Sequence, residues 1–315
     1  MDFVVTEDIF KEISEITGLS GKYILIYDNN KITGIVPFII KNKIFYTLPH
    51  TTHCLPIIPD KLNFYELKNQ IRKITPEIKG MIFRFCDGNI LGAEPYHCRY
   101  YNQVIFLGDN LEEYYNSLER RSIRRLIKKS YNNGLKIRFG KDEKDLKIFY
   151  KLETILRRSL GLPPAPYHFF YSLWKNLGEH DLLLLPIIEK DSRPILASMD
   201  LKFKDQLYFE YTGQNKKFKY YYPYYFFHWE MIKKAHSEFG SRIVDLGRTD
   251  KNQTGLIQFK QSWKAINIDI IEHYENTEPR IINPKSFNFF KNINKVLPLK
   301  VLQLEGRILF NKFFS

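Results

Sequence analysis

Cysteine is scarce in this chain. Three occur among 315 residues, Cys54, Cys86 and Cys98. Their odd number and the lack of any CxxC pair argue against a disulfide framework and against structural zinc, and point to a reducing compartment. No run of about 18 apolar residues occurs, so no membrane-spanning helix is expected. The start, MDFVVTEDIFKEISEITG, carries acids and no long apolar stretch. No secretory leader is therefore expected, and the expected location is cytoplasmic, with peripheral contact at the inner membrane face as the variant of that reading. A Walker loop, HExxH, GxSxG and GxGxxG are all missing, and the chemistries they carry lack support. No metal site is expected, and no sequence repeat is visible.

What is present reads as a globular protein. Hydrophobic residues make up 44% and charged residues 26%, enough for a core and a solvated surface in one large or two medium domains. Lys and Arg number 48 against 35 Asp and Glu, a net charge of +13. Such a balance favours anionic partners: nucleic acid, anionic lipid, phosphorylated cofactors or acidic polymers. A general compositional bias towards lysine explains the charge equally well, because the lysines are spread along the chain.

Periodicity places the elements. EDIFKEISEIT (7–17) reads as an amphipathic helix. KYILIYDNNKITGIVPFIIKNKIFYTLP reads as a hairpin turning at Asp28-Asn29-Asn30 and followed by a further strand. FYELKNQIRKI reads as a helix; GMIFRFCD and CRYYNQVIFL read as strands. From residue 135 onward the order is β-α-α-β-β-β-α-β-α-β, with Pro223 opening the long helix YYFFHWEMIKKAHSEFG. The fold class is α+β. The tail, 276–315, reads as a pair of short helices docked on the body or, alternatively, as a basic amphipathic surface lying on anionic membrane.

LEEYYNSLERRSIRRLIKKSYNNGL reads as one helix, N-capped at Asp109 and stopped at the NNG. Leu111, Tyr115, Leu118, Ile123, Leu126 and Ile127 share one face of it; Arg120, Arg121, Arg124, Arg125 and Lys128 share the other. Arg121, Arg124 and Arg125 are candidates for holding phosphate or carboxylate, since a planar guanidinium grips both bidentately. A merely solvated face is the competing reading.

Chemistry gathers at one sheet end. LYFEYTG offers Glu210 and Tyr211, neighbours that point to opposite faces of a strand. The loop after it carries Lys217 and Lys219 and leads to a helix start, a natural phosphate site. IVDLG breaks at Gly247 and delivers Asp245, Arg248 and Thr249. TGLIQFKQSWK carries Lys260 between Phe259 and Trp263. Glu210 and Asp245 alternatively satisfy a base or a backbone turn, Arg248 alternatively pairs with Asp245, and Phe259 and Trp263 read as core. Lys260 either snorkels at the core rim or reaches into a cleft.

SLERRSIRRLIKKSYNNGLKIR, FYKLETILRRSLGLPPAPYHFFYSLWKNL, LYFEYTGQNKKFKYYYPYYFFHWEMIKKA and VDLGRTDKNQTGLIQFKQSWKA occur in the order seen in FemAB-like acyltransferases, relatives of the GNAT acetyltransferases. The chain resembles most the acetyltransferases of cell-envelope and exopolysaccharide pathways, over residues 110–275. The resemblance implies two tandem GNAT-like domains with mixed central sheets flanked by helices: 1–108, then a 109–275 acyltransferase domain, then the 276–315 tail. It implies an acyl donor lying where two central strands splay apart, with its pyrophosphate on Gln214–Tyr225. That loop departs from the family pattern in having no glycine and many tyrosines. Phe259 stands where GNAT proteins usually carry a proton-donating tyrosine. The following Lys260 is then the candidate for stabilising developing negative charge, with Tyr211 nearby. Arg248 and Thr249 would serve a donor phosphate or carboxylate, and Glu210 or Asp245 would act as base. The implied activity is transfer from acyl-CoA, without a metal, to an amine or hydroxyl of a small-molecule, lipid-linked or glycan acceptor. Aminoacyl-tRNA is the rival donor, and a non-catalytic polyanion-binding module is the third reading.

Overall fold

The computed structural model describes residues 1–5, 21–47, 56–86, 96–278 and 284–313; the helix expected over 7–17 and Cys54 lie outside them. Two compact units result: Met1–Asn102 with Ile268–Ile281 and Asn311–Ser315, and Gln103–Asn267 with Ile282–Phe310.

The first unit holds β1 (Asp2–Val5), β2 (Gly21–Asp28), β3 (Lys31–Lys41), β4 (Ile44–Thr47), α1 (Phe64–Ile74) and β5 (Gly80–Phe85). Asn29 and Asn30, at φ 49° and 60°, make the two-residue turn between β2 and β3; positive φ at both positions matches the twist of the paired strands. α1 forms where the sequence signals it. The Asn63 side chain accepts the Glu66 N–H and the Glu66 carboxylate accepts the Asn63 N–H, a complete capping box. β1 to β4 pair antiparallel, β4 and β5 parallel, and residues 271–275 near the end of the chain pair antiparallel with β5. The core is aromatic: Phe38 stacks on Phe45, and Phe64 meets Phe83 and Phe85 edge-on. Lys68, buried beneath it, pairs with Glu275 at 2.7 Å.

The second unit begins within β6 (His97–Phe106). It continues through α2 (Leu111–Ser117), a π-helical turn (Arg120–Arg124), α3 (Arg125–Asn132), β7 (Lys136–Phe139), α4 (Glu143–Leu160) and α5 (Tyr167–Gly178). Then follow β8 (Leu183–Leu184), β9 (Pro186–Lys190), β10 (Arg193–Phe203), β11 (Gln206–Gln214), a 3-10 turn (Lys216–Tyr221), α6 (Pro223–Ser237), β12 (Ile243–Asp250), α7 (Thr254–Ser262) and the start of β13 (Ile266–Glu275), which belongs to the first unit from Ile268 onward. Two tail helices, α8 (Pro284–Asn294) and α9 (Leu299–Phe313), close the chain. The order expected from residue 135 onward is the one found, with the short β8 added.

The sheet of this unit runs β6-β12-β11-β10-β9-β7, with β8 on β10. β11 and β12 are parallel, while β11, β10, β9 and β7 pair antiparallel. On one face α6 lays Phe226, Phe227, Met231, Ile232 and Ala235 against Leu207, Phe209, Val244 and Leu246. On the other, α4 and α5 bring Phe170 against Tyr211. Gly213 lets α4 lie close, since a Cβ there would meet the Glu153 nitrogen at 2.2 Å.

The single helix expected from 111 to 134 is broken. Asn110, not Asp109, is its cap, accepting from the Glu112 and Glu113 N–H groups. Leu118 and Glu119 are extended, at ψ 143° and 122°. The Glu119 carboxylate accepts the Arg121 N–H at 2.7 Å and the Ser117 hydroxyl bonds back to the Tyr114 carbonyl. One helix thus ends and a second is capped within two residues. The expected apolar face survives the break, with Leu118, Ile123 and Ile127 buried.

Candidate active site

β11 and β12 pair over only three residues, Gln206–Tyr208 opposite Ile243–Asp245. β11 nonetheless runs on to Gln214 and β12 to Asp250. Two features accompany the parting. On β11, Phe209 pairs with Asp200 and Tyr211 with Met199, so Glu210 is an extra residue in a bulge. Phe209 consequently faces Phe227 and His228 on α6, whereas Tyr211 faces Phe169 and Phe170 on α5. On β12, Gly247 sits at φ 74°, a conformation that costs glycine little. The strand kinks there but, contrary to expectation, does not end. Its N–H goes to the Asp245 carboxylate at 2.7 Å, so Asp245 does serve a backbone turn.

Glu210 lies among charges. Burial raises its carboxyl to about 7, the negative charge of Asp245 adds to that, and Arg248 opposes it. Asp200, fully buried on β10, accepts the Ser198 hydroxyl at 2.6 Å, and burial pushes its carboxyl well above the usual range, helped by Glu210. Tyr211 is raised by burial first and by Glu210 and Glu153 after it. Arg248 is exposed at the strand end; Thr249 beside it is buried.

Lys260 is not at the rim of the core. It is 7% exposed, and its Nζ donates to the Gly247 carbonyl at 2.7 Å and to the Thr249 hydroxyl at 2.8 Å. Burial lowers its ammonium to about 8, with Asp245 opposing. Trp263 is fully buried and Phe259 half-buried, both as expected of core residues.

The loop expected to hold the donor differs from a simple helix start. Asn215 caps a 3-10 turn over Lys216–Tyr221, and Tyr222 adopts φ 60° before Pro223. Pro223 has no N–H, and the N–H groups of Tyr225 and Phe226 both turn to the Tyr222 carbonyl. Few backbone donors are left for an anion. Lys217 and Lys219 are exposed on the turn. The basic helix reaches this loop: Asn133 donates to the Tyr221 carbonyl, and Lys129 lies over the Tyr222 ring. Arg121 and Arg125 are exposed. Arg124 is committed elsewhere, bonded to Asn116 at 2.9 Å and set over Tyr115.

Sequence reasoning passed over His228. It is buried on α6, stacked on Trp263 at 5.2 Å and bonded through Nδ1 to the Tyr224 carbonyl. Burial lowers it to about 4, so it stays neutral with Nδ1 as donor. Its one sequence signal is a histidine inside the aromatic run YYFFHW. Glu153 was passed over as well: buried on α4, raised to about 8 by burial against the pull of Arg157. Among the described residues no group of three His, Cys, Asp or Glu side chains is gathered for a metal ion.

This fold recurs in proteins of known structure. The acetyltransferase (GNAT) domain family matches residues 117–261. No curated protein matches the sequence. Among solved structures, FemX superposes with a TM-score of 0.67 at 14% identity, covering 89% of this chain and 92% of its own. L-PGS from Bacillus licheniformis gives 0.56 at 8% identity, covering 93% and 98%. A tandem GNAT protein from the clavulanic acid biosynthesis pathway gives 0.52 at 6% identity, covering 89% and 99%. The mixed α+β architecture is thus that of FemX-like and tandem GNAT proteins.

Proposed function

We propose, from the premise that residues 117–261 form an acetyltransferase (GNAT) domain in a FemX-like fold, that the protein transfers an acyl group from acyl-CoA to an amine or hydroxyl of a cell-envelope precursor or glycan. The carrying observation is Glu210. A carboxyl raised to about 7, in the bulge where the two central strands part, matches what a general base needs near neutral pH. Glu210 takes the proton as the acceptor nitrogen or oxygen attacks the acyl carbonyl. The tetrahedral intermediate then collapses, the bond to the carrier breaks, and the carrier leaves with its electron pair and regains a proton. Arg248 and the exposed Lys217 and Lys219 meet the carrier's anionic groups, and Asp245 fixes the Gly247 turn. Lys260, with two of its N–H groups on Gly247 and Thr249, is a positioning residue for the kinked strand rather than a direct partner of the substrate.

A second donor is favoured by the loop. Its glycine-free, tyrosine-rich turn and its few free N–H groups suit coenzyme A pyrophosphate poorly. The adjoining exposed Arg121, Arg125 and Lys128 suit the spaced phosphates of an aminoacyl-tRNA. Thermal shift with acetyl-CoA, free CoA and tRNA separates the two. A rise in Tm with acetyl-CoA and CoA supports the first donor. A rise with tRNA alone, weakening steeply with salt and less steeply in Arg121→Gln/Arg125→Gln, supports the second. No shift with any of them removes both.

A further inference from the structure

The last helix has two apolar faces. Leu302 and Phe310 are buried, Phe310 packing on Phe169 at 5.2 Å. Gly306 brings the helix against Pro164, whose carbonyl would lie 2.1 Å from a Cβ there. That face docks the helix on α4 and α5 of its own unit, aided by Gln303 donating to Thr154. The opposite face should be polar in a helix with no other partner. Instead Val301, Leu304 and Ile308 recur at helical spacing and stand exposed, Leu304 at 57% and Ile308 at 61%. α8 and the turn after it add Phe289 at 66%, with Phe290, Ile293 and Val296. Exposed large apolar side chains grouped this way mark an interaction surface.

Charge identifies the occupant. Lys295, Lys300 and Arg307 are exposed among these residues. Glu305, the one acid between 284 and 313, is turned inward: it is half-buried, bonded to Asn294, with Oε2 out of reach of water. The outward surface therefore carries aromatic and aliphatic groups with positive charge alone. A second copy of this chain would set those cations against each other. An anionic lipid surface accepts both, apolar side chains entering the acyl boundary and lysines meeting the headgroups. No helix among the described residues is long and apolar enough to cross a membrane, so the contact is peripheral.

We propose that α8 and α9 form a docking face for anionic membrane, which would hold the acyltransferase unit at a lipid surface. The test is co-sedimentation of the full chain with phosphatidylcholine vesicles, with and without phosphatidylglycerol, at rising salt. Binding is expected with phosphatidylglycerol and to weaken with salt. Phe289→Ser/Phe290→Ser/Ile308→Ser should abolish it. Lys295→Gln/Lys300→Gln/Arg307→Gln should lower it about tenfold or more, with both variants keeping the wild-type circular dichroism. A chain that stays in the supernatant with every vesicle overturns the proposal. So does sedimentation that the apolar variant leaves unchanged. Self-association in analytical ultracentrifugation that the apolar variant removes, without vesicle binding, assigns the face to a second copy instead. None of these readouts depends on the acyl donor or on turnover.

Discussion

Lys260 Nζ donates to the Thr249 hydroxyl at 2.8 Å, a buried bond that ties α7 to the far end of β12. With the companion bond to the Gly247 carbonyl, it holds the strand where it kinks away from β11. Lys260→Met sets two effects against each other. An unpaired carbonyl and hydroxyl cost about 1–3 kcal/mol, while removing a buried ammonium returns a similar amount. Stability should therefore change by less than about 2 kcal/mol. Transfer should fall on the order of 100-fold as the strand shifts. Thermal unfolding with single-turnover kinetics checks both; a folded variant with wild-type turnover would end the positioning role.

Gly247→Ala tests the kink itself. The residue at φ 74° has room for a Cβ, the nearest atom being the Phe209 carbonyl oxygen at 3.5 Å. The cost is thus conformational, about 1–2 kcal/mol. A modest fall in Tm should accompany a loss of kcat, because any relaxation of φ moves the carbonyl that Lys260 holds. An unchanged kcat would show that the kink serves folding alone.

Glu153 gives a pH-dependent prediction. Its folded-state carboxyl is raised to about 8 by burial, above its unfolded value. The stability it supports is fully present below the unfolded value and is lost as pH rises through about 8. Glu153→Gln stays neutral, so its Tm relative to wild type should climb between pH 5 and pH 9. The expected gain is on the order of 1–3 kcal/mol, roughly 2–12 °C in a unit of this size. A Tm difference independent of pH would contradict the burial account.

Much of the fold was legible because local signals agreed with packing. FYELKNQIRKI is helical over its whole length with a capping box at its start, and the Asn29-Asn30 turn sits where the apolar alternation pauses. The geometry around the candidate residues was not legible. LYFEY alternates regularly, so nothing in it announces that Glu210 occupies a bulge and that Phe209 and Tyr211 face opposite ways. That outcome depends on register with β10, a long-range property. The break at Leu118–Glu119 escaped because the apolar period runs unbroken through it, and only the Glu119 cap divides the helix. The sequence left Lys260 between the core rim and a cleft, because periodicity cannot foresee the carbonyl and hydroxyl that receive it.

Glu210 as the base is the centre of the account, and the pH dependence of kcat/KM tests it most directly. Wild type should gain activity as pH rises through about 7, the value to which burial and Asp245 bring the Glu210 carboxyl. Glu210→Gln should lose about 100-fold or more in rate, lose that ascending limb, and keep its fold and donor affinity. A Glu210→Gln enzyme with wild-type rate and the same limb near pH 7 would contradict it.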